Sequence, residues 1–315
     1  MPITFDGQVV IITGAGQGLG RAYALELGRR GAAVVVNDVG GVDGGDGGDG
    51  PTADAVVAEI EAAGGRAVAS YDTVATPEGG EAIVHRALEH FGTVDALVHN
   101  AGVWRNVPFD EMTVDQLEPV LDVHLRGAFF VTRPAWSVMK DKSYGRIVLT
   151  SSSAGAFGRE SGANYVSSKA AMLGLGRALA LEGAEHGIRA NCILPIAPFG
   201  RKGPVVPALK NQVASSGLPP EAAGPEQVAP MVAYLASAAC TVTGEAFSAG
   251  GGRYARVFLG VASGWLGPAG GCATAEDVEA HLGDIEDVRD FSMPSSAWAE
   301  LRDIGAAHAR RDAAT

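Results

Sequence analysis

Cysteine is scarce in this chain of 315 residues: Cys192, Cys240 and Cys272 are unclustered and lack C-x-x-C spacing. That spacing argues against a disulfide framework and a thiolate metal site, and it fits a reducing compartment. Basic residues are few as well, 24 Lys and Arg against 36 Asp and Glu, for a formal charge of −12. No nucleic-acid partner is therefore expected, because phosphate neutralisation needs a basic face. No charge-free apolar run reaches the length of a membrane span, and Met1 to Gln8 lacks a basic region followed by an apolar core. The terminal Asp312-Ala313-Ala314-Thr315 does not resemble a peroxisomal address. The expectation is a cytoplasmic protein with no membrane partner. Aromatic residues make up only 6%, but hydrophobic residues reach 47%, enough to fill the core of a doubly wound sheet.

Strands and helical stretches alternate regularly along the chain, which predicts an α/β fold of right-handed βαβ units with a Rossmann-type, doubly wound parallel sheet. Val9 to Ile12 reads as a buried strand and runs into Thr13-Gly14-Ala15-Gly16-Gln17-Gly18-Leu19-Gly20, followed by an amphipathic stretch from Arg21 to Arg30. Strand, glycine turn and helix start in that order form a pyrophosphate site, since a helix N-terminus presents N–H groups and a positive dipole end. The turn residues Gly14, Gln17, Gly18, Leu19 and Gly20 are expected to hold the dinucleotide. The next strand, Ala33 to Asn37, ends at Asp38, where a carboxylate accepts from a ribose 2′-hydroxyl and repels a 2′-phosphate. With no basic residue at Ala15, Gly16 or Gln17, this predicts NAD rather than NADP. Gly40 to Gly50 reads as a flexible loop beside the adenosine, and no metal is expected.

A second motif is Tyr165 with Lys169 four residues later and Ser152 thirteen residues upstream. Helical positions i and i+4 share a face, so the ammonium sits beside the phenol and lowers its pKa toward working pH. Such a tyrosine is a usable general acid or base, and Ser152 can donate to the same substrate oxygen. An isolated Tyr-x-x-x-Lys is more commonly an aromatic packed on a lysine stem. The glycine turn upstream reverses that weighting.

Together, Thr13-Gly14-x-x-x-Gly18-x-Gly20, His99-Asn100-Ala101-Gly102, Ser152, Tyr165 and Lys169 resemble the short-chain dehydrogenase/reductase family over roughly residues 7 to 252. Within it, Val34 to Gly41, Val123-His124-Leu125-Arg126-Gly127 and Gly162-Ala163-Asn164-Tyr165 are similar to the (3R)-hydroxyacyl-CoA dehydrogenases of peroxisomal multifunctional enzymes and to their bacterial steroid-side-chain relatives. The resemblance implies that Ser152, Tyr165 and Lys169 are catalytic. It also implies that Asp72, Thr73 and Val74 with Asn100, Ala101 and Gly102 line the adenosine side, and that Tyr165, Lys169 and Pro195 flank the nicotinamide half. His124 stands where many members carry a catalytic asparagine, so it is either a proton-relay residue or a packed core histidine. His99 replaces a commoner asparagine, and Ile196-Ala197-Pro198 replaces a glycine-threonine segment.

The implied reaction interconverts a secondary alcohol and a ketone, on a 3-hydroxyacyl-CoA or a steroid-related small molecule. A reductase of acyl carrier protein thioesters, a hydroxysteroid dehydrogenase and a non-catalytic NAD-binding sensor or scaffold stand as alternatives. Residues 196 to 224 occupy the position of the family's substrate loop, where Arg201, Lys202 and Lys210 offer a basic patch for an anionic coenzyme. Thr76-Pro77 predicts a helix start and Thr113-x-x-Gln116 a capping box, while Pro119 and Pro134 predict a kink or broken boundary. The expected division is a catalytic domain over 1–252 and a C-terminal extension over 253–315. Val257 to Leu266 of that extension is apolar, as a pocket cover or an oligomer contact, and Ala275 to Val288 and Ser295 to Arg311 look helical. A homodimer or homotetramer follows from the apolar patch Phe258, Leu259, Val261, Trp265 and Leu266.

Overall fold

The structure is a computed structural model, and residues 2–40, 53–197, 215–219 and 222–314 are described. Their contacts fall into two compact units, residues 1–256 and 257–315.

The first unit is built on one sheet of eight strands in the order β3-β2-β1-β4-β5-β6-β7-β8. The strands are β1 (Val9–Thr13), β2 (Ala33–Asn37), β3 (Arg66–Ser70), β4 (Ala96–His99), β5 (Gly145–Thr150), β6 (Ile188–Pro195), β7 (Ala246–Gly250) and β8 (Arg253–Val257). Pairing is parallel from β3 through β7. The inner strands read as unbroken apolar runs because helices cover both faces. In β1, Val10 and Ile12 join one buried cluster, while Val9 and Ile11 join the cluster on the opposite face. This is the two-residue period of a pleated strand expressed as two cores. Strand order reverses beside β1, and there the carboxyl ends of β1 and β4 leave the crevice in which an open α/β sheet binds its ligands.

Among the described residues the α-helices of this unit are α1 (Gly18–Arg29), α2 (Ala53–Ala62), α3 (Pro77–Phe91), α4 (Val114–Leu121), α5 (Gly127–Asp141), α6 (Ser153–Phe157), α7 (Ala163–Gly183) and α8 (Ala229–Ala236). Both predicted helix starts are present. Thr76 Oγ1 accepts from Gly79 N at 3.1 Å with Pro77 in the first turn, and Gln116 Oε1 accepts from Thr113 N at 3.0 Å. The boundary expected from proline occurs once. A π-helical turn over Asp122–Arg126 separates α4 from α5 just beyond Pro119, whereas α5 runs through Pro134 without a break.

In the second unit, β9 (Val261–Ala262) pairs antiparallel with β10 (Phe291–Ser292). Its helices are α9 (Ala275–Ala280), α10 (Leu282–Ile285) and α11 (Ala297–Ala314), so the stretch from Ala275 is divided at His281. His281 stacks on Trp265 with ring centroids 4.1 Å apart. Phe258, Leu259 and Val261 are exposed, while Trp265 and Leu266 are half-buried. Cys192 and Cys240 are buried free thiols, and Cys272 is an exposed one. Among the described residues no helix is long and apolar enough to cross a membrane, and no cluster of metal-ligating side chains forms.

Candidate active site

Backbone geometry at the end of β1 demands glycine. Gly14 and Gly18 take φ values of 62° and 55°, a region costly for residues with a Cβ. A Cβ on Gly14 would come within 2.7 Å of Ala101 Cα, and one on Gly20 within 2.1 Å of Gly14 O. The loop after β4 is thus pressed against the turn. Asn100 holds it there, with Nδ2 donating to Thr13 O at 3.2 Å and to Gly14 O at 3.1 Å. Thr13 Oγ1 accepts from the backbone N–H of both Asn100 and Ala101 at 3.0 Å. Its own hydrogen then goes to His99 Nδ1, 3.3 Å away, which leaves His99 Nε2 to donate to the carbonyl of His124 at 3.3 Å. Burial, with the Lys169 charge adding to it, pushes the His99 pKa down to about 3, so the imidazole is neutral.

Asp38 closes the other side of the turn: its carboxylate accepts from Gly16 N at 2.8 Å and from Gly40 N at 3.0 Å. Asp72 follows β3, where Ser70 Oγ donates to its carboxylate at 3.0 Å and Asn37 Nδ2 to its carbonyl at 2.9 Å. Thr73 Oγ1 accepts from Ala75 N. Val74 is buried and packs toward Gly127, where a Cβ would meet Val74 Cγ2 at 2.9 Å. Pro195 ends β6, and Gly102 is half-buried after Ala101. Leu19 faces the core rather than the turn's open side.

These residues fit a dinucleotide. The first turn of α1 carries no acidic residue to repel a pyrophosphate, Gln17 precedes it in extended conformation, and a carboxylate stands at the end of β2. Residues 41–50 of the expected adenosine loop, and Arg201, Lys202 and Lys210 of the expected basic patch, lie outside the described residues.

The second half of the site is carried by β5, α6 and α7. Ser152 caps α6, its Oγ accepting from Ala154 N at 3.1 Å. Gly155 lets α6 lie directly on α7, since a Cβ there would fall 2.6 Å from the carbonyl carbon of Lys169. Ser151 Oγ donates to that same residue's carbonyl oxygen at 2.7 Å. Tyr165 and Lys169 are both buried on α7. Lys169 Nζ donates to Thr150 O at 2.7 Å and lies 5.8 Å from the centre of the Tyr165 ring. The i,i+4 pair therefore meets as its spacing predicts, with the ammonium anchored at the end of β5.

His124 packs edge-on to Tyr165, with ring centroids 5.4 Å apart. Its Nε2 lies 2.8 Å from Val103 N and 2.9 Å from Val103 O, so this nitrogen faces the backbone of the segment after Gly102. The π turn places it there: one extra residue per turn re-aims a side chain that a regular helix would carry elsewhere.

Three residues near the tyrosine escape sequence reasoning. Trp104 stacks on the Tyr165 ring at 4.3 Å and 26°. Arg159 lies over both rings, 4.5 Å from the Trp104 centroid and 5.6 Å from that of Tyr165. Asn164, almost wholly buried, accepts from Tyr165 N at 2.7 Å and donates to the carbonyls of Gln116 and Arg105 at 2.7 and 3.2 Å. It thereby ties the start of α7 to two other segments. The only signal for Asn164 is its place beside Tyr165, and none marks Trp104 or Arg159.

The family model for short chain dehydrogenase matches residues 8–197. The chain is 41% identical over 310 residues to the peroxisomal multifunctional enzyme A of Dictyostelium discoideum, covering 98% of this chain and 66% of that protein. It is 43% identical over 255 residues to a short-chain type dehydrogenase/reductase of Mycobacterium tuberculosis, covering 80% of this chain and 85% of that one. Among solved structures, a short chain dehydrogenase from Mycobacterium avium aligns with a TM-score of 0.77 at 35% identity, covering 90% of this chain and 97% of that one. The chain thus spans just under two thirds of the Dictyostelium protein and most of the mycobacterial ones. A glycine turn at the switch point, a tyrosine and lysine on one helix face, and these matches agree: the chain belongs to the short-chain dehydrogenase family.

Proposed function

We propose that this protein is an NAD-dependent dehydrogenase that interconverts a secondary alcohol and a ketone on a 3-hydroxyacyl thioester. One observation carries the reading: Tyr165 and Lys169 are buried together on α7, beside the end of β5 that leads to Ser152. Family members use NAD or NADP, and a bound nicotinamide supplies the hydride acceptor or donor. In the direction of alcohol oxidation, Tyr165 takes the hydroxyl proton as general base while Ser152 donates to the same oxygen. Lys169, anchored on Thr150 O, places a positive charge beside the phenolate form of Tyr165. In the reverse direction Tyr165 returns the proton. His124 orders the segment over the ring through the backbone of Val103.

NAD is favoured over NADP by Asp38, whose carboxylate is fixed at the end of β2 by two glycine amides and would repel a 2′-phosphate. Gly14, Gln17, Gly18, Gly20 and the backbone alone of Leu19 would line the pyrophosphate, Asp72, Thr73, Val74 and Asn100 to Gly102 the adenosine side, and Pro195 the nicotinamide end. The thioester assignment draws on the Dictyostelium relative's description as a peroxisomal multifunctional enzyme, together with the resemblance to hydroxyacyl-CoA dehydrogenases.

The test is to incubate the protein with NAD or NADP and a panel of 3-hydroxyacyl thioesters, sterols and simple secondary alcohols, following absorbance of the reduced nicotinamide. Turnover should be largest with NAD and a thioester. Preference for a sterol would move the substrate class, preference for NADP would remove the role given to Asp38, and binding of NAD with no turnover of any alcohol would favour a sensor or scaffold.

A further inference from the structure

The segment between α6 and α7, Gly158 to Gly162, turns back on itself. Gly158 has φ of 81°, Ser161 has φ of 52° although it is not glycine, and a Cβ on Gly162 would come within 2.6 Å of Arg159 Nη2. The segment is held by Val107 N donating to Ser161 O at 3.2 Å. Its result is to lay the Arg159 guanidinium over the stacked rings of Trp104 and Tyr165. Arg159 Nη2 donates to the neutral Asn106 Oδ1 at 2.6 Å, and among the described residues no carboxylate forms an ion pair with it. Arg159 is thus an exposed cation beside the reacting tyrosine, held by two ring faces and an amide oxygen. Partial desolvation lowers its pKa, and the nearby Tyr165 opposes that shift.

A guanidinium supplies several N–H donors in a fixed plane and suits an oxygen acceptor carrying negative charge or partial charge. In a 3-hydroxyacyl compound, two carbon–carbon bonds of about 1.5 Å each separate the carbinol carbon from the C1 carbonyl. With the C3 oxygen at Tyr165, the C1 oxygen falls a few ångströms to the side, and Arg159, whose guanidinium carbon lies 5.6 Å from the centre of the Tyr165 ring, is a cation in that neighbourhood. Coenzyme phosphates lie many bonds further along and stay out of reach of this arginine. We propose that Arg159 is a specificity-determining residue that donates hydrogen bonds to an acceptor oxygen at C1 of the substrate, so that 3-hydroxyacyl compounds are preferred to isolated secondary alcohols. This rests on the alcohol-oxidising reading above. The shared chemistry is a C1 oxygen, whether of a thioester or of a free carboxylate.

The test compares the wild type with Arg159→Gln and Arg159→Lys on three probes: the N-acetylcysteamine thioester of 3-hydroxybutyrate, free 3-hydroxybutyrate and 2-butanol. NAD binding by each variant verifies that the fold is kept. Loss of a charge-assisted hydrogen bond predicts that the ratio of kcat/KM for a C1-oxygen probe to that for 2-butanol falls about tenfold or more in Arg159→Gln, mainly through KM. Arg159→Lys should recover part of the ratio. A larger fall with the free acid than with the thioester marks carboxylate recognition, and the opposite order marks the thioester carbonyl. An unchanged ratio overturns the proposal, as does an equal loss on all three probes, which would mean that Arg159 acts only through Tyr165. Equilibrium binding, read as quenching of tryptophan fluorescence with Trp104→Phe as control, separates the two readings. Binding of a C1-oxygen probe that is lost in Arg159→Gln supports the role of Arg159 even if wild-type turnover fails. No binding of either C1-oxygen probe to the wild type overturns it.

Discussion

Two buried histidines lie 25 positions apart, and the neighbours of His99 fix its chemistry. Thr13 spends its lone pairs on two backbone amides, so its hydrogen must go to His99 Nδ1, and the remaining ring N–H must donate to the carbonyl of His124. Burial, with the Lys169 charge adding to it, disfavours the protonated ring, and its pKa falls to about 3 from a value near 6.5 in the unfolded chain. Between those two values the unfolded state binds more protons than the folded one. Stability should therefore fall as pH drops below about 6.5, with a limiting slope of about 1.4 kcal/mol per pH unit from this residue, until the pH reaches the folded-state pKa. Urea unfolding midpoints measured from pH 7 to pH 4 should show that slope, and His99→Asn should flatten it; equal slopes in both proteins would contradict the assignment. From sequence alone His99 is only an asparagine replaced. Its role comes from a partner on β1 and a carbonyl on the π turn, neither of which any local pattern connects to it.

At the scale of elements, what could be read was what depends on neighbours in the chain. Thr76-Pro77, the Thr113 and Gln116 pair, the glycine turn and the Tyr165 and Lys169 spacing all act within one helical turn or one tight bend, so sequence separation fixes their geometry. The π turn at Asp122–Arg126 was legible only as a boundary, through Pro119. Its hydrogen-bond pattern has no residue signature and is stabilised by His124 docking on Val103. The contact of α6 with α7 is of the same long-range kind. Because a Cβ at Gly155 would fall 2.6 Å from the carbonyl carbon of Lys169, Gly155→Ala should push α6 away from Lys169. A loss of about 1–3 kcal/mol in unfolding free energy is expected from such overpacking, together with a fall in turnover as Ser152 shifts from Tyr165. Denaturant titration and initial rates check this; wild-type values for both would show that the helices are not pressed together there.

The chain as a whole has one large sheet unit and a smaller unit from Val257, and they were unequally readable. The sheet announces itself through long apolar strands alternating with helices. The pairing of Val261–Ala262 with Phe291–Ser292 does not, because two-residue strands carry no period. Exposed Phe258, Leu259 and Val261 on the smaller unit are an apolar surface that a solitary subunit would leave in water. A homodimer or homotetramer is accordingly expected, and light scattering at micromolar concentration should give a multiple of 32.1 kDa; a monomeric mass would remove this expectation.

The proposed reaction requires Tyr165 as the proton-transferring group in a site that binds NAD independently of it. Replacing it with phenylalanine keeps the ring that Trp104 and His124 pack against and removes only the hydroxyl. Tyr165→Phe, assayed side by side for NAD affinity and for turnover of the best alcohol substrate, should retain binding while the rate falls by about 10²–10⁴-fold, the range that general acid–base catalysis supplies. Near-normal turnover in a variant that still binds NAD would contradict the mechanism.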